Sequence, residues 1–209
     1  MRVVEKTLWI VGFICIGIFC THLVASESAR SGDIDAYRAA LELPADRQPS
    51  DPEQSLWSEG RIAAYEESLT KETSEILGIL EIPRLKLEVP LYDGASDLHM
   101  DRGAARIEGT AMPGEPGNLG VAAHRDGYFR VLKDIELGDE LMLTTANGLE
   151  EYVVLETRIV DPSAVEVLDP TDEQSVTLVT CYPFYFVGHA PERFIVRAVK
   201  KEQANYQES

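Results

Sequence analysis

Three residues of reactive type stand at the ends of short β-prone runs. Cys181 ends the run TLVTC, and the proline two positions later cannot continue a central strand. His124 ends the run GVAAH, and Arg193 opens the last β-prone run of the chain. A thiol and an imidazole at neighbouring strand ends would make a nucleophile and its acid/base partner. Arg193 would supply the local cation that a thiolate needs in an acidic chain.

Each of these residues also has a structural interpretation. A lone cysteine is commonly a buried and inert side chain, a lone histidine is commonly structural, and an arginine at a strand end is commonly a surface residue. His99 and His189 are alternative acid/base candidates, whereas His22 lies in an apolar N-terminal segment and is excluded.

The composition around Cys181 favours the chemical interpretation. Residues 174–191 form a run of 18 positions without Asp, Glu, Lys or Arg. Much of this run lies beyond the strand, where a loop is normally polar, so it predicts a cleft from which water is excluded. The chain has no C-x-x-C and no H-E-x-x-H motif, so we predict neither a metal site nor a cofactor.

The elements that would position these residues are short strands separated by turns. Asn147-Gly148 between the fifth and sixth strands predicts a type I′ hairpin. No long helix separates successive strands, so parallel β-α-β units are not expected, and the pattern favours a sandwich or a barrel. The predicted strands are 77–82, 87–92, 105–109, 119–124, 141–145, 152–160, 175–181 and 194–200.

The N-terminal segment 7–25 contains no charged residue over 19 positions, which is about the length that spans a bilayer. Arg2 and Lys6 precede it, and no basic residue follows before Arg30, so the positive-inside rule places the rest of the chain outside the cytoplasm. The alternative is a cleaved signal peptide. We therefore predict a single-pass protein of the cell membrane with an extracytoplasmic domain.

Composition divides the rest of the chain. The 209 residues carry 19 basic and 36 acidic side chains, a net charge of −17, which argues against binding to nucleic acid. The predicted organisation is a transmembrane anchor (1–25), an acidic linker with a helix (26–76), a β domain (77–200) and a polar tail (201–209). The linker helix would place Ile62, Tyr65 and Leu69 on one face, either packed on the domain or spacing it from the membrane.

Residues 77–200 resemble a sortase, most nearly of the class D type. The resemblance rests on GNLGVAAHRDGYFRVLKDIELGDEL, TLVTC, ERFIVRA and an ending of the form PF-x-x-x-G-x-AP-x-RFIVRA, in that order. It implies a mostly β fold: an eight-stranded barrel with short helices, preceded by a membrane helix and a helical linker. It also implies an extracytoplasmic cysteine transpeptidase. Such enzymes cleave an LPxTG-like C-terminal sorting signal on a secreted protein through a thioacyl intermediate. They then join the new carboxyl end to an amine of the cell wall or of another protein.

The resemblance assigns roles to residues of this chain. Cys181 matches the nucleophile, His124 the acid/base and Arg193 the electrostatic stabiliser. Thr180 matches a position that shapes the substrate groove, and Thr177, which opens the same motif, is assigned to substrate binding with it. Neither an inhibitory lid motif nor a second, C-terminal membrane span is evident, so pilus assembly is not expected. The chain also shows no calcium-site pattern. Two alternatives stay open: a catalytically silent β-barrel that binds peptides, and a cysteine protease that releases its product to water.

Overall fold

The fold is an eight-stranded closed barrel. The structure is a computed structural model that describes residues 32–41, 50–74, 76–185 and 190–201. Its strands are β1 (Ile76–Ile82), β2 (Leu87–Asp93), β3 (Ala104–Arg106), β4 (Asn118–Ala122), β5 (Glu140–Thr145), β6 (Gly148–Val160), β7 (Ser175–Tyr182) and β8 (Glu192–Lys200). They are ordered β1-β2-β3-β4-β7-β8-β6-β5 around the barrel. This confirms the mostly β, eight-stranded barrel predicted from the resemblance.

Short helices connect or flank these strands. The α-helices of the described residues are α1 (32–40), α2 (Glu59–Leu69) and α3 (Asp97–Arg102). The 3-10 helices are η1 (Pro83–Leu85), η2 (Tyr128–Asp134) and η3 (Val165–Leu168).

Two of the eight strand pairs are parallel, namely β2 with β3 and β4 with β7. The expectation that parallel units would be missing is therefore wrong. The six-residue helix α3 connects β2 to the three-residue strand β3, so a crossover needs no long helix when the strand that it reaches is so short. The parallel pairing of β4 with β7 matters most here, because it carries the predicted site residues to the same edge of the barrel.

The barrel interior is filled by alternate residues of the strands, as the period of two in a strand requires. Two residues of η2, Phe129 and Leu132, are fully buried and belong to the same core cluster. The interior residues contributed by strands include Leu80, Val89, Leu91, Val121, Leu141, Leu143, Val154, Val176, Leu178, Val196 and Ala198.

The hairpin between β5 and β6 forms at the predicted place with a different turn. Thr145 pairs with Gly148, so the two loop residues are Ala146 and Asn147. A type I′ turn needs positive φ at both loop residues. Neither Ala146 nor Asn147 has a positive φ, so the predicted turn type is wrong. The positive φ of this hairpin, 116°, is at Gly148. The glycine serves as the first residue of β6 and not as a central turn residue.

Residues that precede the barrel pack on it. In α1, Ile34 is fully buried, and Arg38 forms a buried ion pair of 2.9 Å with Glu88 of β2. In α2, Tyr65 is buried, and its hydroxyl lies 3.4 Å from that of Tyr128. Ser58 caps the start of α2 by accepting a hydrogen bond from the backbone N–H of the third helical residue. Of the two arrangements open for the predicted linker helix, α2 takes the packed one.

The predicted membrane anchor (1–25) lies outside the described residues, as does most of the predicted tail, 202–209. Within the described residues, no helix is both long enough and apolar enough to cross a bilayer.

Candidate active site

The ends of three strands bring the predicted reactive residues to one edge of the barrel. β4 and β7 are parallel, so their carboxyl ends share an edge, and β8 begins there because it is antiparallel to β7. Cys181 is the direct register partner of Arg193. Ala122, the last residue of β4, pairs with Val179, and continuing that register by two residues brings His124 level with Cys181.

These side chains lie on the outer face of the barrel wall. Leu178 of β7 and Val196 of β8 are register partners and are both fully buried in the core. Cys181 and Arg193 each lie three residues away from them, so strand alternation places both on the opposite face. Ala123 also belongs to the core cluster, and the next side chain, His124, is 29% exposed. The reactive groups therefore face a surface that a substrate can reach.

Cys181 and Arg193 are neighbours across the β7–β8 pair. The Cys181 thiol is free and partly exposed. Directly opposed residues of an antiparallel pair have Cβ atoms about 4.5–5.5 Å apart. Arg193 Nη1 donates to the carbonyl oxygens of Glu192 (2.9 Å) and Ala190 (3.4 Å). Both bonds use Nη1, and the guanidinium carries further N–H groups on Nε and Nη2 that can donate to an oxyanion beside the thiol.

A carboxylate lies in the electrostatic range of Arg193. Asp161 follows the end of β6, where Val160 is the register partner of Arg193. Hydrogen bonds from the hydroxyl and the backbone N–H of Ser163 lower the pKa of Asp161, and the charge of Arg193 lowers it further. An ionised carboxylate thus accompanies the arginine on the exposed side of the site.

The turn that carries His124 is fixed to β7. The Thr180 hydroxyl donates to the carbonyl of Ala123 at 2.8 Å. The carbonyl of His124 itself accepts from the N–H groups of Gly127 (3.1 Å) and Phe129 (3.3 Å). These hydrogen bonds attach the backbone at His124 to β7 on one side and to the start of η2 on the other.

Arg125 joins the turn after β4 to the loop after Cys181. Its Nη1 donates to the carbonyl of Pro183 at 2.9 Å. The aromatic rings of Tyr182, Phe184 and Phe194 cluster beside this link, with centroids 5.3–6.2 Å apart, and pack against the core. In the described part of the uncharged run, apolar residues thus have a packing role. The cleft that excludes water stays a prediction.

The two predicted substrate-binding threonines are buried. Thr180 is 2% exposed and bonded to Ala123, as described above. Thr177 is 1% exposed, and its hydroxyl donates to Oδ1 of Asn118 at 2.7 Å. Both threonines therefore support the walls of the site in this structure, and contact of either with a substrate stays a prediction.

Asn118 and η3 form a wall over the outer face of β4 and β7. The buried Asn118 amide donates to the carbonyls of Val167 (3.1 Å) and Asp169 (3.2 Å). A Cβ at Gly120 would lie 2.8 Å from Cδ2 of Leu168, closer than real contacts allow. The absence of a side chain at Gly120 thus lets η3 approach the strand. Through Thr177, this wall is also joined to β7, the strand that carries Cys181.

The other histidines differ from His124 in surroundings. His99 stacks on Tyr92 with centroids 5.0 Å apart. Its Nδ1 lies 2.7 Å from the carbonyl oxygen of Gly94, and its Nε2 lies 3.1 Å from Oγ of Ser74. These contacts occupy both ring nitrogens of His99. His189 lies outside the described residues.

Sequence reasoning missed two polar residues beside the site. Asn118 lies inside the GNLG stretch that carries part of the resemblance, and Asp101 lies two residues after His99. Asp101 Oδ1 is 3.5 Å from Nε2 of His124. Neither belongs to a motif with a known chemistry, so only their spatial position singles them out. Among the described residues, no group of three His, Cys, Asp or Glu side chains is arranged to hold a metal ion.

Comparison with known proteins adds independent information. The sequence model of the sortase domain matches residues 80–201. Sortase D of Bacillus subtilis (strain 168) is 35% identical over 130 residues, which are 62% of this chain and 66% of that protein. Sortase A of Listeria monocytogenes (strain EGD-e) is 29% identical over 110 residues, which are 51% of this chain and 49% of that protein. The matches thus span from about half to just under two thirds of the length of these relatives.

A solved structure shares the fold. The Sortase D5 transpeptidase of Clostridium perfringens superposes with a TM-score of 0.61 at 22% identity, covering 83% of this chain and 98% of that one.

Proposed function

The chain belongs to the sortase family, and on this basis we propose that it is a membrane-anchored cysteine transpeptidase. Its substrate would be a secreted protein with an LPxTG-like C-terminal sorting signal, and its second substrate an amine of the cell envelope or of another protein. The observation that supports this most strongly is the register of β7 with β8 and β4, which sets Cys181 opposite Arg193 and brings the end of β4, two residues before His124, to the same edge of the barrel.

The first half-reaction forms a thioacyl enzyme. The Cys181 sulfur, as thiolate, attacks the carbonyl carbon of the threonine in the signal, so that a C–S bond forms and the carbonyl oxygen becomes an oxyanion. Arg193 donates N–H groups to that oxyanion from the opposed strand position. His124 gives a proton to the leaving amine as the C–N bond breaks.

The second half-reaction transfers the acyl group. The acceptor amine attacks the thioester, His124 takes the proton that the amine loses, and the C–S bond breaks to regenerate the thiolate. Water competes with the amine at this step, so a transpeptidase must favour the amine. A dry groove along the wall formed by η3 would slow the hydrolysis.

The proposed location follows from the sequence. Segment 7–25 carries no charge and is preceded by Arg2 and Lys6. We place the catalytic domain outside the cytoplasmic membrane, where sorting signals of secreted proteins and envelope amines are both accessible.

A product assay tests the proposed activity. The full chain in detergent is incubated with LPxTG-like peptides and a small primary amine, and the products are identified by mass spectrometry. We expect the amide of the shortened peptide with the amine from the wild type, and none from Cys181→Ala. The matched control is Cys15→Ala in the predicted anchor, which should keep the activity.

The other outcomes select between the alternatives. Free acid without an amine adduct would show a protease, and peptide binding without cleavage would show a silent binding module. Amide product from Cys181→Ala would refute the assignment of the nucleophile.

A further inference from the structure

A carboxylate faces the imidazole of His124 from helix α3. Oδ1 of Asp101 lies 3.5 Å from Nε2 of His124. The Asp101 side chain is 14% exposed and that of His124 is 29% exposed, so water screens this pair only in part. At this distance the two groups interact mainly through charge and dipole, because a hydrogen bond would be shorter.

Helix α2 holds that carboxylate in place. Nη2 of Arg61 lies 2.8 Å from the same Oδ1 of Asp101. The Arg61 guanidinium also lies over the Trp57 ring, 4.3 Å from its centroid. A guanidinium stacked on an indole loses freedom of rotation, so Arg61 presents a fixed donor to Asp101.

Helix α2 and Trp57, which lies just before it, contact the turn that follows His124. Nε of Arg61 lies 3.7 Å from Oδ2 of Asp126, and the Trp57 indole N–H donates to the backbone carbonyl of Asp126. The segment before the barrel therefore holds both the partner of the His124 ring and the backbone just after it. Trp57 and Arg61 lie outside the part of the chain that matches the sortase domain, 80–201.

A carboxylate beside one ring nitrogen of a histidine has a defined chemical effect. It favours the form in which that nitrogen carries the proton, and it restricts rotation of the ring. With Nε2 facing Asp101, the other nitrogen, Nδ1, is the one left for exchange of a proton with the substrate amine. Because Arg61 holds Asp101, the carboxylate can fix the orientation of the ring.

We propose that Asp101 is a positioning residue for His124 and that Arg61 holds Asp101 in place from α2. This inference rests on the proposed function, because it assumes that His124 exchanges protons during transfer. Asp101 would not touch the substrate, and it would act only through the imidazole.

Asp101→Asn tests the proposal kinetically. Asparagine keeps the shape of the side chain and removes its charge, so we expect kcat to fall about tenfold while KM stays within about twofold. The matched control is Asp97→Asn, which changes the same residue type on the same helix at an exposed position and should leave both constants unchanged. Equal kcat values for Asp101→Asn and the wild type would overturn the proposal.

Arg61 provides a second, graded test. Arg61→Gln removes the charge that holds Asp101, and we expect a fall in kcat of about threefold to tenfold. Arg61→Lys keeps a cation within reach of Asp101 and should recover part of that loss. If the lysine variant were as impaired as the glutamine variant, the ion pair would not be the cause.

Nitrogen-15 NMR of the histidine side chains separates positioning from a structural role. We expect Asp101→Asn to change the ring ¹⁵N shifts of His124, which report which nitrogen carries the proton, and to leave those of His99 unchanged. Unchanged His124 shifts, or equal changes in both histidines, would overturn the proposal. A failed proposed function would appear separately, as a wild type that makes no amide product while the His124 shifts still respond.

Discussion

At the scale of single residues, the site depends on a cross-strand pair. Cys181 and Arg193 are direct partners on the outer face of β7 and β8, so the two side chains leave the sheet at adjacent positions. A guanidinium offers a planar set of donors, whereas a lysine offers a single mobile ammonium group. A role for Arg193 in stabilising an oxyanion therefore depends on shape as well as on charge.

Arg193→Lys should lower turnover by about 10²-fold, comparable with the loss of one oxyanion donor. The matched control is Arg197→Lys, on the same strand and the same face, where the arginine pairs with Glu173. We expect the control to stay within about threefold of the wild type in kcat/KM. Wild-type rates for Arg193→Lys would refute a geometric role for the arginine.

The sequence pointed to Cys181, His124 and Arg193 because each stands at the end of a β-prone run, and strand ends are visible as a change in pattern. It favoured His124, which ends a β-prone run, but it left His99 open as an alternative. The structure separates them by their contacts, because His99 has both ring nitrogens occupied and stacks on Tyr92. Asp101 could not be identified from the sequence, because its position beside His124 depends on how α3 packs.

At the scale of elements, the wall over the outer face of β4 and β7 depends on how η3 is fastened to the barrel. Asn118 at the start of β4 donates to two carbonyls of η3 and its following residue, and accepts from Thr177 of β7. One buried amide thus couples this wall to the strand that carries Cys181.

Asn118→Ala should lower the free energy of unfolding by about 2–3 kcal/mol, because it leaves buried hydrogen-bonding groups without partners. It should also raise KM for the peptide more than it lowers kcat, since η3 loses its attachment while Cys181 keeps its own. Chemical denaturation and steady-state kinetics measure the two effects. Asn147→Ala, at the exposed β5–β6 loop, is the control and should change stability by less than about 0.5 kcal/mol. A larger fall in kcat than rise in KM would argue against this role of η3.

Sequence patterns located all eight strands, since alternating apolar residues and turn residues are local signals. They did not reveal that β4 pairs with β7 in parallel, because that contact joins residues more than 50 positions apart. The hairpin turn shows the same limit at short range. Asn147-Gly148 indicated a tight turn, yet register with β6 decided which residues occupy it.

At the scale of the whole molecule, the described residues before the barrel, 32–41 and 50–74, pack on it as part of the folded unit. Asp33 of α1 pairs with Arg102 of α3 at 2.5 Å, and Tyr37 donates to the carbonyl of Leu77 at 3.1 Å. The sequence predicts a linker here, because residues 26–76 are acidic and contain three prolines, at 44, 49 and 52. Burial of a few apolar and paired charged side chains was enough to dock these helices, and such contacts leave little trace in composition.

The acid stability of the fold should depend on Asp139. Its carboxylate accepts hydrogen bonds from Arg84 and from the backbone N–H of Glu136. The hydrogen bond from Arg84 contributes most to lowering the pKa of Asp139 below the ordinary value of 3.8. A carboxyl group with a lowered pKa in the folded state stabilises the fold above its unfolded pKa and loses this effect as the pH falls through its folded pKa.

Asp139→Asn should therefore cost about 1 kcal/mol at pH 7, a modest value because Arg84 is 43% exposed and its charge is screened by water. The difference from the wild type should shrink as the pH falls below about 4. Urea denaturation at pH 7 and at pH 3 measures it, and Asp172→Asn at an exposed position is the control. A difference that is constant with pH would show that the charge of Asp139 is not the cause.

The most direct test of the proposed chemistry is the mass of the enzyme during turnover. The full chain in detergent is mixed with a signal peptide in the absence of an acceptor amine, quenched with acid and digested. We expect one added acyl group, ending at the threonine of the signal, on the peptide that contains Cys181, and its removal when an amine is supplied. An acyl group mapped to any other residue would contradict the assignment of Cys181 as the nucleophile.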